Sequence, residues 1–197
     1  AKKKAEQDAK KKRLKELRKK LRRWKRQLRG KTRVSFNGKN LTDEDALAIG
    51  DDDALAIGDV LKTNNTVSWL RLENNNITDV ESIGDALKTN NTLKILEVRN
   101  NNITDVQSIG EALKTNNTLT TLYLYNNNIT DDSGIQSIID VLKTNNTLNR
   151  LNLQYNQLSD KMIKQLNDIM YYKRHEPWYS SFYGYGYVED MKINAYY

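Results

Sequence analysis

The sequence predicts an α/β fold made by stacking one unit on itself, and three observations carry that expectation. The phrase LKTNNTL starts at Leu87, Leu113 and Leu142, and a near copy, LKTNNTV, starts at Leu61, so the copies lie 26, 26 and 29 residues apart. A period of this length marks a supersecondary unit that buries its apolar face against its neighbours. Each phrase leads into a short apolar alternation, such as Leu96 and Val98, that reads as a strand. A helical spacing follows, Val80, Ile83 and Leu87 in one copy and Val106, Ile109 and Leu113 in the next.

Each unit contains LxxLxLxxNxL, met by Val67/Leu70/Leu72/Asn75/Ile77, Leu93/Leu96/Val98/Asn101/Ile103, Leu119/Leu122/Leu124/Asn127/Ile129 and Leu148/Leu151/Leu153/Asn156/Leu158. On these residues the chain, from about 34 to 170, resembles the leucine-rich repeat family, specifically its ribonuclease-inhibitor-like kind. The resemblance implies a curved solenoid with parallel strands on the concave face and helices on the convex face. It also implies that Asn75, Asn101, Asn127 and Asn156 form a buried asparagine ladder between coils. The 26-residue copies are short for that kind, so their helices should be short. KTNN is expected to end each helix through an Asn in the left-handed conformation.

A degenerate unit precedes the four. RVSFNGKNL sets Val34, Phe36 and Leu41 in the strand register, with Lys39 at the ladder position. DALAIGD then occurs twice, at 45–51 and 53–59, an apparent eight-residue tandem duplication. Eight residues rotate a helix face by about 80°, so the two copies cannot bury the same stripe.

The first two full copies differ at eight of 26 positions, and six of the eight lie in or beside the strand. The outward columns across the sheet read Trp69, Ile95, Thr121, Arg150; then Arg71, Glu97, Tyr123, Asn152; then Glu73, Arg99, Tyr125, Gln154. Solvent-facing positions can drift, and Arg71 with Glu97, or Glu73 with Arg99, can be cross-strand ion pairs. Trp69 beside Ile95, and the neighbouring tyrosines, point instead to a concave interaction surface.

Charge divides the chain. Residues 1–33 hold 18 Lys/Arg and 3 acids, a net +15, whereas 34–197 hold 14 and 22, a net −8. In the arm, Leu14, Leu17, Leu21, Trp24 and Leu28 follow a heptad seam up to Gly30, which predicts one basic helix over residues 1–30. Arg18, Lys19, Arg22, Arg23 and Arg26 clothe its other faces. A segment so cationic calls for an acidic counterpart, whether an acidic protein surface, RNA or anionic lipid. The seam alone would serve equally as a cap on the first coil.

The solenoid is expected to fill 31–172 and close on a helix with Met162, Leu166, Ile169 and Met170. Residues 173–197 are expected to form an aromatic extension, either an irregular cap over the last coil or a segment for which Trp178, Tyr179, Phe182 and Tyr183 are candidate anchors on a neighbouring subunit.

With no cysteine, thiol catalysis, disulfides and cysteine metal sites are excluded, and an intracellular, cytoplasmic or organellar setting is expected rather than secretion. No apolar run is long enough to span a bilayer. His175 is the lone histidine and has no nucleophile motif around it, YGYGY lacks the strand, helix and Lys of a phosphate loop, and the eight N-x-S/T sequons follow from copying one repeat. No catalytic, cofactor or metal site is expected. The function that emerges is a non-enzymatic scaffold, a structural or accessory subunit held by arm, concave sheet and tail. A polyanion-binding subunit is the alternative, and a GTPase or actin regulator of the leucine-rich repeat type is a third.

Overall fold

A computed structural model describes residues 26, 29–37, 57–131 and 133–175, with the side chains of 59, 133 and 170–175 excepted. Five three-residue strands form one parallel sheet in sequence order: β1 (Arg33–Ser35), β2 (Trp69–Arg71), β3 (Ile95–Glu97), β4 (Thr121–Tyr123) and β5 (Arg150–Asn152). Helices alternate with them: α1 (Ile57–Thr63), α2 (Glu81–Leu87), α3 (Gln107–Leu113), α4 (Ser133–Leu142) and α5 (Asp160–His175). The result is an α/β solenoid. The strand register matches the repeat alignment, Trp69 beside Ile95, Ile95 beside Thr121 and Thr121 beside Arg150.

Seven-residue helices and three-residue strands have no stability of their own. Stacking supplies it. The inward strand residues Val34, Leu70, Leu96, Leu122 and Leu151 form one buried column, and Phe36, Leu72, Val98, Leu124 and Leu153 form the next. Ile83 and Leu87 of α2, and Ile109 and Leu113 of α3, close the core from the helical side. Each fully buried Leu or Ile contributes about 1.5–3 kcal/mol. The 29-residue copy spends its three extra residues on α4, which is ten residues long where α2 and α3 are seven.

Glycine sets the spacing of the helical layer. A Cβ on Gly58 would lie 2.0 Å from the Ser82 carbonyl oxygen, one on Gly84 2.6 Å from the Ser108 carbonyl carbon, and one on Gly110 2.7 Å from the Ser137 Cβ. Neighbouring helices therefore pack backbone against Ser. In α4 the same position is Ile139, buried where the chain passes to the last helix rather than to another copy. Of the duplicated heptapeptides, 53–59 supplies the packing register: Ile57 sits where Ile83 and Ile109 sit, and is buried like them. The first heptapeptide, 45–51, lies outside the described residues, as does Lys39.

Two asparagine ladders run through the stack. In the first, the Asn101 side-chain amide donates to Leu72 O at 3.0 Å and Val98 O at 2.9 Å, while its oxygen accepts the Ile77 N–H at 3.1 Å. Asn75 and Asn127 repeat the donor pattern from buried positions, and Asn156 does so from a half-buried one at the end of the stack. The second ladder explains the verbatim LKTNNTL. Asn116 donates to Leu87 O at 2.7 Å and Asn90 O at 3.0 Å in the preceding coil, and accepts Thr118 and Leu119 N–H groups in its own. Asn90 and Asn145 do the same one coil on either side.

The left-handed cap expected at KTNN is a correction. Lys88 and Lys114 end their helices in the right-handed conformation, and the following Asn side chains turn the chain by hydrogen bonding instead. Positive φ falls after the strand, at Asn74, Asn100, Asn126 and Tyr155.

Candidate interaction surface

The outward strand residues share one face because strand side chains alternate and the five strands are in register. Arg33 and Ser35 of β1 extend the columns that begin at Trp69 and Arg71.

At the N-terminal half, the face is occupied by its own residues. Glu73 and Glu97 are both 4% exposed. Arg71 pairs with both, its Nε 3.6 Å from Glu97 Oε2. Arg99 also pairs with both, at 3.5 Å from Glu97. Trp69 Nε1–H donates to Glu97 Oε1 at 2.7 Å, and the Asn37 amide donates to Glu73. The Arg33 guanidinium lies 4.7 Å over the Trp69 ring and that of Arg71 lies at 5.9 Å. Trp69 and Ile95 are half-buried. The charge exchange between the first two copies is thus compensated within the chain, each guanidinium bridging both carboxylates.

Burial pushes the Glu73 carboxyl up, but hydrogen bonds and positive charge from Arg99 and then Arg71 outweigh it and hold the group below its usual range. The hydrogen bond that Arg99 donates to Glu73, against burial, raises Arg99 in turn. A carboxyl depressed in the folded chain stabilises it above the unfolded value of about 4.3 and loses that contribution as pH falls through the folded value. Urea midpoints should therefore decline below about pH 4.3 in the native sequence, and Glu73→Gln should decline less. Equal slopes in the two chains would contradict the pairing.

The C-terminal half is aromatic. Tyr123 and Tyr125 are half-buried, Asn152 and Gln154 follow in the same columns, and Arg150 is exposed. The Tyr125 and Tyr155 rings meet edge to face, with centroids 5.0 Å apart at 76°. Tyr155 is 61% exposed, the exposed large apolar side chain among the described residues. Sequence columns alone did not include Arg33, Asn37 or Tyr155. The signal for Tyr155 was available, since YN stands where the other copies have NN.

The family comparison takes in three of these strands, β3, β4 and β5. A model of the family described as Leucine Rich repeat matches residues 89–106, 115–136 and 144–161. The protein is a leucine-rich repeat solenoid. The match is to the repeat in general and does not reach the ribonuclease-inhibitor-like kind. The solenoid is similar to the structure of Leiomodin-1 Actin-Binding Site 2, with TM-score 0.55 and 22% identity over 76% of this chain and 84% of that one, a likeness of fold. An internalin from Listeria monocytogenes gives TM-score 0.43 and 25% identity over 61% of this chain and 31% of that one. The Caenorhabditis elegans tropomodulin C-terminal domain gives 0.46 and 11% over 76% and 90%. No curated protein sequence matches the chain.

Of the arm residues, Arg26 is helical and exposed, and Gly30 has φ +70°, the conformation of a helix stop. Arg18, Lys19, Arg22, Arg23 and Trp24 lie outside the described residues, as do Trp178, Tyr179, Phe182 and Tyr183. Among the described residues there is no helix long and apolar enough to cross a membrane and no cluster of His, Cys, Asp or Glu that could hold a metal.

Proposed function

We propose that this leucine-rich repeat protein is a non-enzymatic scaffold whose concave face docks another polypeptide, as a structural or accessory subunit of a larger assembly inside the cell. One observation carries it. The copies are held nearly verbatim wherever they build the core and the two ladders, and diverge on the outward strand positions. A repeat under structural demand alone would have no reason to place Tyr123 and Tyr125 on that face rather than shorter polar residues. The basic arm, net +15, anchors the same assembly on an acidic surface.

A photo-crosslinking residue tests it. Placed at Tyr123, p-benzoylphenylalanine is expected to join one defined protein in native extract, while the same residue at Lys114, at the end of α3, joins none. Adducts from Lys114 alone would move the interface to the helices, and adducts to RNA would favour the polyanion-binding alternative. An adduct to actin, the ligand named for Leiomodin-1 Actin-Binding Site 2, would recast the protein as a regulator of that kind.

A further inference from the structure

We propose that Tyr155, with Tyr123, Tyr125 and Arg150, forms the anchoring subsite of the concave face, and that its occupant is an acidic polypeptide segment. This rests on the docking role above and names the partner's chemistry.

The first support is backbone strain at an exposed aromatic. Tyr155 holds φ 53°, where the three preceding copies place Asn74, Asn100 and Asn126 at 57°, 54° and 51°. In the left-handed region the Cβ of an L residue crowds the following carbonyl, and Asn tolerates this better than a bulky side chain does. Asn also supplies a contact here, since Asn100 donates to Asn74 and Asn126 to Asn100 in a surface amide chain. Tyr155 gives up that conformational ease, and with 61% exposure it recovers little by burial. Residues that break a local rule without a folding gain concentrate at binding sites. A half-held Tyr pair is also the usual chemistry of an interface anchor.

The second support is charge. The concave face carries Arg33, Arg71, Arg99 and Arg150 against Glu73 and Glu97, and both carboxylates are buried beneath guanidiniums. The other described acids stand elsewhere, with Asp79, Asp105 and Asp131 in the turns before helices and Asp59, Glu81, Asp85, Glu111, Asp140, Asp160 and Asp168 on helices. A cationic face is thus set on a body of net charge −8. That body repels a long phosphate chain, whereas a peptide with a few carboxylates meets Arg150 and offers backbone amides to Asn152, Gln154 and the tyrosine hydroxyls.

Panning a random-peptide phage library on the full chain, with counter-selection on the Arg150→Glu chain, separates this face from the basic arm, which both chains keep. The enriched peptides should be acidic. A synthesised member should bind at least about tenfold more weakly to Tyr155→Asn and to Arg150→Glu. Tyr155→Asn restores the residue of the other copies, so its melting temperature should be equal or higher. Neutral or basic peptides that still depend on Tyr155 would overturn the acidic occupant and leave the docking role standing. Unchanged binding by Tyr155→Asn would overturn the anchor. Tighter concave-dependent binding of fluorescein-labelled oligouridine would replace the peptide with nucleic acid. Absence of any concave-dependent peptide would overturn both readings.

Discussion

Asn101→Ala should lower the unfolding free energy by about 2–4 kcal/mol, a large share of what a domain this size has. The amide spans two coils, and its loss strips the buried Ile77 N–H of its acceptor and takes one donor each from Leu72 O and Val98 O, which keep the Asn75 and Asn127 amides. An unpaired buried group costs about 1–3 kcal/mol, and water cannot easily reach a site that is 6% exposed. Asn156→Ala is the internal control. It removes the same pattern at the half-buried end of the stack, where water substitutes, so about 1 kcal/mol is expected. Urea unfolding of both chains decides it, and equal losses would mean that the ladder is not what joins the coils.

Gly84→Ala should cost about 2–3 kcal/mol, although Ala favours a helix over Gly by about 1 kcal/mol. The new Cβ would meet the Ser108 Oγ at 2.5 Å and both the Ser108 Cβ and its carbonyl carbon at 2.6 Å, and backbone cannot step aside cheaply. Ser108→Gly removes the side-chain clashes but not the backbone one, so it should rescue only in part. At Gly110 the nearest atom is the Ser137 side-chain Cβ at 2.7 Å, while the backbone stands off at 3.1 Å. There the double change Gly110→Ala with Ser137→Gly should lose less than the two single changes summed, by about 0.5–1.5 kcal/mol. Additivity at both sites would show that the helical layer is looser than its glycines imply.

The periodic parts of this fold were legible because copying makes them visible. Leu70, Leu96, Leu122 and Leu151 fall at one repeat position, and parallel stacking follows once each is followed by an inward residue two places on. The second asparagine ladder was hidden by its residue type. Asn90, Asn116 and Asn145 read as helix-ending residues, whereas their amides reach back a whole coil, a contact between residues 29 or 32 apart that no local pattern encodes. The same habit misplaced the left-handed residues, which Asn74, Asn100 and Asn126 provide. The outward columns could be read from sequence, but not how much of each column the chain satisfies itself. Only the geometry separates the Trp69–Glu97–Arg cluster, closed by its own bonds, from the Tyr123–Tyr125–Tyr155 patch. The strain at Tyr155 belongs to the backbone and appears nowhere in composition.

Hydroxyl-radical footprinting of the chain, alone and in its native assembly, tests the central claim most directly. If the concave face is the docking surface, oxidation of Tyr123, Tyr125 and Tyr155 should fall several-fold in the assembly while Met162 and Ile163 of α5 stay unchanged. Undiminished oxidation of the three tyrosines, with protection confined to α5 or the helical layer, would contradict it.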